Sequence, residues 1–104
     1  MVNYLILGQG IKTAKTTKAE PLSATSIPCK EVIIISDSGG SAVNTNDSAT
    51  TIRIGDSSID NNGPGIRIGA EIRFGGVITG GIDPSKIYCI SNVASQKLMW
   101  WAIG

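Results

Sequence analysis

Apolar and charged residues alternate strictly in three short runs, Ile52-Arg53-Ile54, Ile66-Arg67-Ile68 and Ile72-Arg73-Phe74. A period of two puts every second side chain on the same face of a β-strand. No stretch of comparable length carries the i, i+3, i+4, i+7 stripe of an amphipathic helix. The apolar residues are mostly Ile and Val with Thr abundant around them, and β-branched side chains suit a pleated surface better than the crowded wall of a helix. Turn signals cut the chain at short intervals: Asp37-Ser38-Gly39-Gly40, residues 44–47, Asp60-Asn61-Asn62-Gly63-Pro64-Gly65, Gly75-Gly76, Gly80-Gly81 and Asp83-Pro84. Short strands joined by tight turns predict an all-β fold, an antiparallel β-sandwich or jelly-roll-like domain with almost no helix.

A chain of 104 residues has length for one core. At 41% hydrophobic and 16% charged it lies far from the profile of disordered chains. The net charge of +1 supplies no global field for phosphates, and no basic cluster stands out, so no nucleic-acid partner is expected. The sequence contains no His, which removes the commonest general base and the commonest metal ligand together. Neither an enzyme nor a cofactor or metal is therefore expected. No apolar run approaches the ~20 residues of a membrane span, and no basic leader precedes an apolar stretch, so the expectation is a soluble chain made in a cytoplasm, with no membrane partner. Cys29 and Cys89 lie in strand-like apolar runs without CxxC spacing. They read as small buried core thiols, with a single disulfide or a reactive nucleophile as the alternatives.

Two runs break the in-out alternation. Val32-Ile33-Ile34-Ile35 and Leu98-Met99-Trp100-Trp101-Ala102-Ile103 are apolar at both parities, so both faces of each strand need cover. A second sheet of the same chain covers one face; another chain, a loop or water must meet the other. Trp100 and Trp101 point to opposite sides of a strand, one into the core and one to an interface, unless the chain itself covers the second. Residues 1–26 are expected as an N-terminal arm or edge strand and residues 27–104 as the sandwich domain. The segment is broken by Gly8-Gln9-Gly10 and then turns polar, with Lys12, Lys15 and Lys18 at a spacing of three. The candidate interface residues are Tyr4, Leu5, Lys12, Lys15, Lys18, Val32, Ile34, Trp100 and Trp101, the lysines having a second reading as a solvated edge that discourages strand pairing.

Three motifs invite and fail functional readings. Gly8-Gln9-Gly10 follows an apolar run as phosphate-binding loops do, but the third glycine of a dinucleotide fingerprint would fall on Thr13, so a strand-breaking turn is the better reading. Ser58-Ile59-Asp60-Asn61-Asn62-Gly63 spaces oxygen ligands like a calcium loop, yet the twelfth position is Gly69 rather than a bidentate carboxylate, which favours a solvated turn. Asn46-Asp47-Ser48 matches a glycosylation sequon, with meaning only in a secretory pathway.

From Ile27 onward the order of motifs is distinctive: Ile27-Pro28-Cys29-Lys30-Glu31-Val32, Ile52-Arg53-Ile54-Gly55-Asp56, Gly65-Ile66-Arg67-Ile68-Gly69-Ala70-Glu71, Ser85-Lys86-Ile87-Tyr88-Cys89-Ile90-Ser91 and Gln96-Lys97-Leu98. Together they resemble small β-sandwich structural proteins of tailed bacteriophage virions, over about three-quarters of the chain, with the N-terminal segment unmatched. The resemblance implies a capsid decoration (cement) protein, bound to the head shell as a homo-oligomer, a trimer foremost, with the major capsid protein or other virion proteins as partners. It implies location in the virion after assembly in the host bacterial cytoplasm. A neck, tail or head-fibre component is the alternative within the virion. A β-sandwich carbohydrate-binding module, with Trp100 or Trp101 as a stacking platform, is the alternative outside it.

Overall fold

The computed structural model describes residues 5–36, 52–61, 65–67, 71–75, 81–94 and 96–104. Tyr4, the turn clusters within residues 37–51 and Asn62-Gly63-Pro64 lie outside the described residues. Eight strands are seen among these residues: β1 (Ile6–Ala14), β2 (Glu20–Pro21), β3 (Glu31–Ser36), β4 (Ile52–Gly55), β5 (Ile66–Arg67), β6 (Glu71–Gly75), β7 (Tyr88–Ser91) and β8 (Gln96–Ile103). One short 3₁₀ turn, Pro84–Lys86, is the only helical element among the described residues.

The strand pairs are nested. β1 pairs with β8, β2 with β7, β3 with β6 and β4 with β5, all antiparallel. The chain is thus one long hairpin, bent between β4 and β5, that rolls so that β8 also meets β3 and β7 also meets β4. Two four-stranded sheets result, sheet A in the order β1-β8-β3-β6 and sheet B in the order β2-β7-β4-β5. Eight antiparallel strands wound in this way form a jelly-roll sandwich.

Alternation decides what fills it. In β8 the buried residues are Gln96, Leu98, Trp100 and Ala102, and in β3 they are Val32, Ile34 and Ser36. Facing them from sheet B are Ile52, Ile54 and Cys89, and Ala14, Leu22, Cys29 and Ile87 complete the core. Both thiols are buried and free, and burial raises the pKa of each, Cys89 being pushed up to about 12. Ala14 and Leu22 reach the same core as Val32 and Ile34, so the described residues 6–26 pack on the shared hydrophobic interior, with β1 as an edge strand of sheet A rather than a free arm.

Gly8-Gln9-Gly10 does not break β1, which runs unbroken from Ile6 to Ala14 with one register shift between Ile6 and Gly8. The glycines answer to packing instead. A Cβ on Gly10 would lie 3.2 Å from the Trp100 indole, and one on Gly8 only 2.7 Å from Ile27 Cδ1. Their missing side chains let the Trp100 ring lie against the strand backbone.

Asp83 ties the two halves of the hairpin together. Its carboxylate accepts from the Ile27 N–H at 2.9 Å, the Ser85 N–H at 2.9 Å, the Ser85 hydroxyl at 2.8 Å and the Ser26 hydroxyl. Burial opposes its charge, yet these donors outweigh burial and hold the carboxyl well below the usual range.

Candidate assembly interface

The composition of sheet A's outer face follows from register. Antiparallel partners share a face, so three rows can be traced across the four strands. Gln9 lies beside Trp101, Trp101 beside Ile33, and Ile33 beside Arg73. The next row runs Ile11, Met99, Ile35, Glu71, and a third runs Ile6, Ile103, Glu31, Gly75. Ile11, Met99, Trp101, Ile33 and Ile35 therefore form one apolar band, with Glu31, Glu71 and Arg73 on its β6 side. Ile11 is 68% exposed, and the preceding Leu5, Ile6 and Leu7 are exposed as well. The corresponding face of sheet B differs: Ile90, opposite Arg53, is buried there.

The expected interface residues separate on this framework. Val32, Ile34 and Trp100 are buried within the single chain and present no docking surface. Trp101 is half-buried on the outer face, and its companions are Ile33 and Ile35. The parity is thus the reverse of the one expected for β3. Leu5 is 61% exposed, while Tyr4 lies outside the described residues.

Lys12 and Lys15 meet one carboxylate, that of Glu20. Lys12 Nζ donates to Glu20 Oε1 at 2.8 Å, and Lys15 Nζ lies 4.0 Å from Glu20 Oε2. The bond from Lys12 lowers the Glu20 pKa, helped by the fields of Lys15 and Lys18. This pair links β1 of sheet A to β2 of sheet B and closes the side of the sandwich. Lys15 and Lys18 are exposed.

The would-be calcium loop has other work. Ser58 donates to Asp56 Oδ1 through its N–H at 2.8 Å and its hydroxyl at 2.5 Å, an Asx turn. Asn61 Nδ2 donates to the carbonyls of Thr16 at 3.0 Å and Ser91 at 2.9 Å, tying the chain after β1 to the end of β7. Among the described residues no group of three or more Cys, Asp or Glu side chains is placed to hold a metal ion.

The two runs apolar at both parities were legible as surfaces needing cover, but sequence reasoning put Val32 and Ile34 rather than Ile33 and Ile35 among the candidate residues, and it did not single out Ile11. Ile33 and Ile35 were inseparable from Val32 and Ile34 in a run apolar at both parities, and Ile11 stood alone in a polar stretch. No protein-family model matches the chain, and neither a curated protein nor a solved structure matches it.

Proposed function

We propose that this chain is a structural protein of a tailed-bacteriophage virion, a capsid decoration protein that attaches to the head shell through the outer face of sheet A. The observation that carries the reading is the apolar band of Ile11, Met99, Trp101, Ile33 and Ile35 on that face. Removing apolar surface from water is worth about 25 cal/mol per Å², and a contiguous apolar face marks a surface that meets another. The ordered motifs from Ile27 onward support the virion setting. The jelly roll is compatible with it, being shared by viral capsid and lectin domains, and is not specific to it. Attachment of this kind needs no chemistry; repeated copies on a symmetric shell turn weak single contacts into strong avidity.

Density-gradient-purified particles of the virus that encodes the chain are expected to carry it in many copies. Recombinant protein should co-sediment with heads that lack it, and Trp101→Arg should weaken that binding at least tenfold while leaving the β spectrum unchanged. Absence of the protein from purified particles would overturn the reading. Binding to oligosaccharide that depends on Trp101, without co-sedimentation, would replace it with a carbohydrate-binding module.

A further inference from the structure

Each sheet has two edges, and three of the four are protected. β2 is two residues long and contains Pro21, which lacks a donor; β5 spans two described residues. β6 exposes Glu71 and Arg73 and ends at Gly75 with φ 122°. β1 is the exception. It runs for nine residues without proline, and among the described residues no strand pairs with its outer side. Its single charge, Lys12, is drawn toward sheet B by Glu20, which leaves the outward positions Gln9, Ile11 and Thr13 uncharged. A long, uncharged edge is a template for adding a strand.

We infer that β1 pairs antiparallel with β1 of a second copy of this chain about a two-fold axis at Ile11, joining two sheets A into one eight-stranded sheet. The irregularity between Ile6 and Gly8 limits the regular segment to residues 8–14, whose midpoint is Ile11. Centred there, Gly8 faces Ala14 of the second copy, Gln9 faces Thr13, Gly10 faces Lys12, and Ile11 faces Ile11. Each Lys12 lies opposite a residue with no side chain, so no like charges meet. A centre on Lys12 would set two ammonium groups side by side, which antiparallel pairing penalises. The two most exposed isoleucines meet on the outer face, and the two apolar bands become continuous. A two-fold contact uses the same patch twice and is closed, so it does not propagate into a fibre. This pairing stands apart from the virion reading, since it requires only the edge and its register, and it is a two-fold assembly where the resemblance led to the expectation of a trimer.

The test is mass in solution. Light scattering is expected to give twice the 10.8 kDa chain mass, and Ile11→Lys, which sets two lysines on the axis, is expected to give the single-chain mass with an unchanged β spectrum. Ile11→Cys should form a covalent dimer on mild oxidation, whereas Thr13→Cys should not, because Thr13 faces Gln9. A monomeric or trimeric native protein would overturn the inference, as would a dimer indifferent to Ile11→Lys or cross-linking through Thr13→Cys as readily as through Ile11→Cys.

Discussion

Asp83 shows how much one side chain can organise when several donors converge on it. Replacing a capped carboxylate by an amide leaves the Ile27 and Ser85 N–H groups with a weaker acceptor and misplaces one donor, a loss of about 2 kcal/mol by analogy with removed caps and buried hydrogen bonds. Asp83→Asn is therefore expected to lower Tm by roughly 10 °C. The carboxyl titrates lower in the fold than in the unfolded chain, where it is about 3.9. Its contribution is complete above that pH and is lost as the pH falls toward the folded value. Urea midpoints followed below about pH 4 should drop less steeply in Asp83→Asn than in the parent; parallel acid limbs would remove Asp83 from the acid response. The thiols have the opposite sign. Burial raises both, Cys89 to about 12, so their protonated forms favour the fold until the pH rises past the unfolded value of about 8.5. At about pH 8 a thiol reagent is expected to label neither cysteine in the native protein and both after unfolding without prior reduction. Rapid native labelling of either would contradict the burial of that thiol.

At the scale of elements, β1 carries more than its polar sequence suggests. It ladders along β8 from Gln96 to Ala102, its glycines seat Trp100, and Ala14 closes one end of the core. A loosely attached N-terminal arm could be removed with residues 1–20 and leave a folded sandwich. The structure predicts the reverse. Removal would strip the pairing from one side of β8, expose the ring of Trp100 and take away Glu20 with its bond to Lys12. Loss of cooperative thermal unfolding, read by circular dichroism at 218 nm or so, is the expected outcome; a sharp transition near the parental Tm would restore the view of a detachable segment. The rest of β1's sequence bears on its free side: Ile11 has no role in the interior, being 68% exposed, so substitutions there report on association rather than on stability.

At the scale of the whole molecule, the nested pairing distributes every part of the chain across both sheets. β1 and β2 belong to different sheets, as do β3 and β4, β5 and β6, and β7 and β8. Each sheet therefore depends on strands from both ends of the sequence, and no half of the chain holds a sheet of its own. The same winding turns the outer face of sheet A into one surface and leaves β1 at its edge, so the proposed docking face and the proposed dimer edge adjoin. Pairing about Ile11 would double the apolar band presented to a shell. Because no ion pair crosses that axis, raising the salt to about 0.5 M should leave the dimer intact, in contrast to an association steered by Lys15 and Lys18.

Several features of this protein were already settled by its sequence. The alternation around Arg53 and Arg73 and the clusters of turn residues specified short antiparallel strands, because a period of two is a local property that each run carries by itself. The same local logic placed Trp100 and Trp101 on opposite faces. Which face was which lay beyond it. Val32-Ile33-Ile34-Ile35 is apolar at both parities, so no internal signal sets its phase; the register against Phe74 and Ala102 does, and it buries Val32 and Ile34 while turning Ile33 and Ile35 outward. Gly8-Gln9-Gly10 read as a break because glycine weakens an isolated strand, whereas its cause is an indole arriving from β8, some ninety residues away in the chain. The apolar band and the open edge arise in the same way, from residues that only the rolled hairpin makes neighbours.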